Sequence, residues 1–426
     1  ITLNNLSNLH SNTGKHNDAE KEYGEALEKN RQLAEASPEA YLPYVAITLN
    51  NLGNLHQITG KHNDAEKEHG EALEIRRQLA EANPGAYLPD VAQTLNNLGN
   101  LHSNTGKHND AEKEYSEALE IRRQLAEASP EAYLPYVAQT LNNLGALHYA
   151  TGKHGDAEKE YSEALEKNRQ LAEASPEVYL PYEAMTLGNL GNLHSATGKH
   201  ADAEKEYGEA LKIFSQLAEA SPEAYLPSVV KTLICLGALH SNAGKHAEAE
   251  REYKDALEKS RQLSETSPEV YLPYVAMTLN NLGNLHSVVG KQADAKKEYG
   301  EALEIRRKLA ESSPEVNLPY VAMTLNNLGI LHSVIGKQAD AKREYGEALE
   351  IRRKLAESSS GAYLPDVAMT LLSMALWYYA QGNQQDALEA AQESLEIYQK
   401  MEKLSPAAFH IYVEKAKELL EDIMGK

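Results

Sequence analysis

Apolar positions along this chain fall three or four residues apart, and the pattern recurs at long range. In the stretch 135–149, Val137, Leu141, Leu144, Leu147 and His148 share one face of a helix. In the stretch 156–174, Ala157, Tyr161, Ala164, Leu165 and Leu171 do the same. Between the two, Gly152 supplies the residue that a left-handed helix end needs. Ser175-Pro176 closes the second stretch. The pattern predicts a first helix from about Pro135 to Tyr149 and a second from about Asp156 to Ala174. Pro135 is expected in the first turn, where its missing N–H costs nothing. All 16 prolines are accordingly expected in connections between units, none inside a helix. Lys159 and Glu163, four apart on the outer face, are positioned to pair weakly.

The helix pair repeats. Thr94–Leu134 and Thr140–Leu180 differ at seven of 41 positions, at an offset of 46. Leu6, Leu52, Leu98, Leu144, Leu190, Leu236, Leu282, Leu328 and Met374 are the successive registers. A fixed period of this length means a stack of supersecondary units, each touching its neighbours. The expected organisation is nine 46-residue repeats over 1–405, the first truncated at its N-terminus, and a capping helix at 406–426. In that cap Phe409, Tyr412, Val413, Ala416, Leu420 and Ile423 form one apolar stripe. Ile1-Thr2-Leu3 already sits inside a first helix, so the chain reads as a piece of a longer array. Gly145, Ala157 and Ala164 are small where the two helices approach, and Tyr161 fills the remaining gap.

At these residues the chain resembles the tetratricopeptide repeat. The family's large residue, Leu-Gly, aromatic, Ala, aromatic, Ala set reads here Leu141, Leu144-Gly145, His148, Ala157, Tyr161, Ala164. The longer period and the Leu-Asn-Asn-Leu-Gly core are similar to the kinesin-light-chain subtype. Long arrays in STAND signalling ATPases and caspase-like CHAT proteins are similar too. Two departures stand out: His replaces the first-helix aromatic in eight units, and His69 replaces the second-helix aromatic in the second. The resemblance implies an all-α, right-handed superhelical solenoid of nine helix-turn-helix units. It also implies that the first helices line a concave surface where extended peptides bind.

The resemblance maps the candidate peptide-binding residues onto Asn50, Asn51, Asn54, Asn96, Asn97, Asn100, Asn142 and Asn143, and onto Asn189, Asn192, Asn280, Asn281, Asn284, Asn326 and Asn327. Independently, Asn is a mediocre helix former, so adjacent pairs in mid-helix need a reason. An amide offers both donor and acceptor groups. A ladder of amides can hold an extended backbone without demanding one sequence. The competing use is structural, with the second Asn of a pair bonding a neighbouring unit. A further position on this face reads Gln93, Gln139, Met185, Lys231, Met277, Met323 and Met369, more apolar toward the C-terminus.

Other chemistry is sparse. Histidine pairs such as His102 and His108 lack the Cys or carboxylate spacing of a zinc site, so no metal is expected. There is no Gly-rich phosphate loop and no nucleophile elbow. Cys235 and His240 share one helix at core or groove positions. Neither catalysis nor a cofactor is expected. The 63 acidic residues outweigh 42 basic ones, a formal charge of −21. That balance argues against a nucleic-acid or anionic-membrane partner. One cysteine and no signal-peptide pattern fit a cytoplasmic protein. The sequence therefore reads as a protein–protein interaction scaffold that binds a peptide or protein segment. Two alternatives stand beside it: a regulatory sensor arm of a larger ATPase or protease, and a self-assembling array joined through its uncapped N-terminal end.

Overall fold

The computed structural model of the chain describes residues 2–425, and Ile1 and Lys426 lie outside the described residues. Nineteen α-helices and no strand occur among the described residues. The chain folds as two compact units, Ile1–Ile213 and Phe214–Lys426. The first holds α1 (Thr2–Asn12), α2 (His16–Ala36), α3 (Pro38–Ile58), α4 (His62–Ala82), α5 (Pro84–Asn104), α6 (His108–Ala128), α7 (Pro130–Ala150), α8 (His154–Ala174) and α9 (Pro176–Ala196). The division falls within α10 (His200–Ala220). The second holds α11 (Pro222–Asn242), α12 (His246–Thr266), α13 (Pro268–Val288), α14 (Gln292–Ser312), α15 (Pro314–Val334), α16 (Gln338–Ser358), α17 (Ser360–Ala380), α18 (Gln384–Leu404) and α19 (Pro406–Met424). Within each unit every helix packs on the next, the arrangement of an all-α solenoid.

The helices are longer than the periodicity predicts, because they start earlier. α7 begins at Pro130, not Pro135, and α8 at His154, not Asp156. Eight prolines, Pro43, Pro89, Pro135, Pro181, Pro227, Pro273, Pro319 and Pro365, therefore lie inside helices. The expectation that none would do so fails for a simple reason. Proline at the sixth helical position removes one bond, to the carbonyl four residues back, and turns that carbonyl aside with its ring. For Pro135 that carbonyl belongs to Glu131, which is exposed and open to water. The connections shrink accordingly. One extended residue, Ser175, splices α8 to α9: its N–H bonds Leu171 O at 2.9 Å and its carbonyl accepts Tyr179 N at 3.1 Å. Between α7 and α8 the chain reverses over Thr151-Gly152-Lys153. Gly152 takes φ +77° and Lys153 N bonds back to His148 O at 2.8 Å.

The core is shared between successive pairs. Tyr115 of α6, Leu141, Leu144 and Leu147 of α7, and Ala164 of α8 form one buried cluster. Inside the second to eighth pairs the second helix lays a ring against a glycine of the first. A Cβ on Gly99, Gly145, Gly191, Gly237, Gly283 or Gly329 would lie 2.6–2.8 Å from the ring of the facing Tyr115, Tyr161, Tyr207, Tyr253, Tyr299 or Tyr345. The last pair trades this arrangement for Ala375 and Ala391, both fully buried. Trp377 there lies beside Tyr345, with ring centroids 6.0 Å apart. α19 covers α18 with Val413, Ala416, Leu419, Leu420 and Ile423. Tyr412, expected in that stripe, is exposed and stacks on Tyr398 at 5.3 Å. Glu163 pairs with Arg123 of the preceding pair at 2.7 Å rather than with Lys159.

The ring contact makes two glycines of the seventh pair behave oppositely. Gly283→Ala drives a methyl into Tyr299 and should destabilise by about 1 to 3 kcal/mol, the range for overpacking. Gly300→Ala, with open space around it on α14, should stabilise by about 0.5 to 1 kcal/mol through lost unfolded-state entropy. Urea unfolding followed by circular dichroism separates the two. Midpoints that move in the same direction would refute the contact.

Candidate functional site

The first helices carry their asparagines in three registers, and the structure gives each a different environment. The first Asn of a pair is withdrawn from the surface. Asn50, Asn96, Asn280 and Asn326 are buried, and Asn142 is half-buried. The second Asn reaches back across the joint between pairs. Asn97 Nδ2 donates to Asn50 Oδ1 at 3.1 Å, and Asn143 Nδ2 to Asn96 Oδ1 at 3.2 Å and Asn100 Oδ1 at 3.3 Å. Asn189 donates to Asn142 Oδ1 at 3.3 Å. In the second unit Asn327 donates to Asn280 at 3.3 Å and Asn284 at 3.1 Å. Asn51 reaches Asn8 at 3.5 Å, and Asn281 is half-buried. The third Asn accepts a hydroxyl: Tyr115 donates to Asn100, Tyr207 to Asn192 and Tyr299 to Asn284, each at 2.7 Å. Asn54 and Asn100 are half-buried, while Asn192 and Asn284 are exposed. The amides thus link successive first helices through the first unit, and α13 to α15 in the second, and they are bonded to one another.

Its fixed side is an arginine that the sequence pattern did not single out. Arg122 of α6 is buried; its Nη1 donates to Asn96 Oδ1 at 3.3 Å, to Tyr136 O at 3.0 Å and to Thr140 Oγ1. Arg306 repeats the set with Asn280, Tyr320 O and Thr324. Burial pulls both guanidinium groups down to about 10. The signal was present as Ile-Arg-Arg in four second helices, where one Arg falls on the apolar face. Arg122 also lies 5.4 Å from the centre of the Tyr136 ring and so fixes that side chain from beneath.

Above this layer the first unit has a groove of about 510 Å³ between α7 and α9. Tyr136, Val178, Tyr182 and Met185 line it and are each at least half exposed. Gln139, Asn142, Asn143 and Asn189 supply amides along the same wall. The arrangement is an apolar trough edged by donors and acceptors, suited to an extended chain with spaced apolar side chains. A depression of about 500 Å³ on the second-helix side is instead lined by Glu120, Arg123, Glu160 and Glu163. Arg123 and Glu163 pair with each other there.

The first-helix histidines sit at the joints. His102 is buried, with Nδ1 2.9 Å from Glu114 of its own pair and Nε2 3.3 Å from Glu66 of the preceding pair. Lys107 closes on the same Glu66 at 2.6 Å. Lys107 holds Glu66 below the usual carboxylate range against a smaller effect of burial, whereas burial pushes Glu114 up. The same trio recurs as Glu20, His56, Lys61; Glu112, His148, Lys153; Glu158, His194, Lys199; and Glu250, His286, Lys291. Each of these histidines lies between a carboxylate of its own pair and one of the preceding pair, and so serves the stack.

Comparison with known proteins agrees with this geometry. Tetratricopeptide repeat family models match residues 1–78, 44–124, 90–170, 136–216, 228–308 and 353–400, and a further one matches 321–360. No curated protein matches the chain. Among solved structures, a STAND protein with a tetratricopeptide repeat sensor from Pyrococcus horikoshii is similar at 12% identity and a TM-score of 0.55. The match covers 94% of this chain and 55% of that one. The apo form of RapI is similar at 15% identity and a TM-score of 0.50, over 73% of this chain and 99% of that one. BtubC (BKLC) from P. vanneervenii is similar at 25% identity and a TM-score of 0.47, over 57% and 90%. The first two likenesses are of fold.

His69 breaks the tyrosine register, and its two ring nitrogens are buried without a hydrogen bond among the described residues. Burial, helped by Arg76, lowers it from 6.5 to about 4. The folded state therefore keeps the ring neutral while the unfolded chain takes up a proton. Stability is full above 6.5 and is lost as the pH falls from there to about 4, by about 3 kcal/mol in all. His69→Tyr should remove that loss and bring a hydroxyl toward Asn54, as Tyr115 does to Asn100. Urea unfolding at pH 7 and pH 4.5 reads it. A stability difference that does not widen in acid would overturn the account.

Proposed function

The chain belongs to the tetratricopeptide-repeat family, whose stacked helix pairs form protein-interaction scaffolds, and from that premise we propose that it binds an extended peptide segment of a partner protein on the face lined by its first helices. The observation that supports the reading is the groove between α7 and α9, where Tyr136, Val178, Tyr182 and Met185 are exposed beside Asn143 and Asn189. Exposed apolar side chains clustered in a concavity and rimmed by polar groups mark interaction surfaces. The half-buried and exposed amides of the second and third registers offer their remaining donors and acceptors to the partner's backbone, while the first register, mostly buried, holds the stack. Specificity along the partner then comes from which side chains enter the trough.

The division of labour decides the experiment. Changing Asn96 would release Arg122 and unsettle the joint, so it tests the fold as much as the function. Val178→Asp with Met185→Asp alters only exposed groove side chains. Retention of a source-cell partner by this double variant should fall at least about tenfold, the effect of losing roughly 1.4 kcal/mol of apolar contact. Circular dichroism and thermal midpoint should stay unchanged. Equal retention by wild type and variant would remove the groove from the binding surface.

A further inference from the structure

The joint between the seventh and eighth pairs lacks one member of the Glu–His–Lys trio found at five other joints. Counting 46 residues from Glu250, His286 and Lys291 gives Lys296, His332 and Lys337. The glutamate has become a lysine. In the intact joints that carboxylate lies 2.6 Å from the lysine and 3.2–3.5 Å from the histidine Nε2. At the altered joint His332 is 3% exposed, and its Nδ1 is 2.7 Å from Glu344. Its Nε2 is buried like those of the other joint histidines, but no carboxylate stands beside it among the described residues. The Lys337 ammonium beside Lys296 pulls that lysine below the usual range.

We propose that this joint is a carboxylate-binding site, in which an Asp or Glu side chain of a partner protein takes the place of the missing glutamate between Lys296, Lys337 and His332. Three features argue for a carboxylate. The protein fills the equivalent position with one at five described joints, so the pocket's dimensions already suit it. Two ammonium groups side by side repel, and a carboxylate between them relieves the repulsion. In the intact joints a carboxylate stands 3.2–3.5 Å from the histidine Nε2, and among the described residues none stands beside that of His332. The other charges nearby are already engaged. Asp340 pairs with Arg343 at 3.0 Å, and Glu344 is held by His332.

The position is reachable from outside. In intact joints the carboxylate stays at the surface, with Glu66 40% exposed, and Lys296 and Lys337 are both exposed. The neighbouring turns have also changed. Ser103-Asn104-Thr105 of the third pair becomes Ser287-Val288-Val289 in the seventh and Ser333-Val334-Ile335 in the eighth. Val288 and Val334 are 74% and 70% exposed. An acidic residue flanked by apolar ones therefore fits this edge, which in a chain of charge −21 is locally cationic.

The probe is the peptide acetyl-Leu-Glu-Leu-amide, with acetyl-Leu-Gln-Leu-amide and inorganic phosphate as comparators at matched ionic strength. The readout is the His332 ring in a nitrogen-15 spectrum, assigned with His332→Gln. The glutamate peptide should shift that ring, and the glutamine peptide should not. Lys296→Glu should restore the internal carboxylate, raise the thermal midpoint above wild type and weaken the peptide response about tenfold or more. Lys337→Met should weaken the response while leaving the groove between α7 and α9 untouched. An equal response to the glutamine peptide, or a Lys296→Glu protein that binds as wild type does, would overturn the site. Tighter binding of phosphate than of the glutamate peptide would overturn the carboxylate assignment.

Discussion

In seven of the nine helix pairs an aromatic ring occupies the space that a Cβ on the facing helix would need. Gly99 against Tyr115 and Gly283 against Tyr299 show it at 2.6 Å. The missing Cβ lets the second helix lie close, and alanines such as Ala111, Ala118, Ala157 and Ala164 are then fully buried at the same crossing. Only a tyrosine ring can carry this contact beyond packing. Its hydroxyl emerges on the first-helix face and meets Asn100, Asn192 or Asn284 at 2.7 Å. The packing contact thus anchors the third rung of the amide ladder, and the second rung reaches back to it from the next pair. Where the chain gives up the ring, at Ala391, it also gives up the glycine, and the asparagines of that register are gone as well.

A stack with such small core residues leaves much of each joint polar. Thr140 accepts from Arg122, Asn143 donates to Asn96, and His148 lies between Glu112 and Glu160. The buried arginines meet neutral acceptors and a backbone carbonyl, so their desolvation is only partly offset. Such groups add little net stability. They penalise any other register, because a slip between near-identical pairs would leave a buried cation or amide without its partner. That penalty matters in a repeat protein, where the apolar pattern alone fits many offsets equally well.

The period, the helix pairs and the Gly–Tyr crossing were legible in the sequence because each rests on spacing. The helix starts were not. A Leu-Pro dipeptide looks like a boundary, yet Pro135 sits in the sixth position of α7, where the chain loses one bond at a solvent-exposed turn. The asparagines were legible as a ladder but not as three kinds of residue. Asn96, Asn97 and Asn100 have the same side chain and differ only in which neighbour the helix rotation brings to them. Arg122 lies on the apolar face of the Ile-Arg-Arg pattern, but it is easily passed over as an anchor because a mid-helix arginine ordinarily points to water. Its burial comes from the next pair's first helix, which supplies Thr140 and the carbonyl of Tyr136.

Near-copies make departures informative. Residues that hold joints recur because the geometry requires them, so their repetition says little about a ligand. A change confined to one joint breaks a contact that its counterparts keep, and it removes free energy unless something else supplies the lost partner. Glu to Lys at Lys296 is such a change: it reverses a charge beside Lys337, where the other described joints keep a carboxylate. The exposed valines beside it, in turns that are polar elsewhere, move the same edge toward an apolar partner. The groove between α7 and α9 obeys the same logic. Val178 and Met185 stand where the preceding pair has Ala132 and Gln139, while Thr186 and Leu187 beneath them keep the fold's own pattern. Surface change over an unchanged core is what a repeat array can tolerate, and it is where recognition enters a molecule whose scaffold is otherwise uniform.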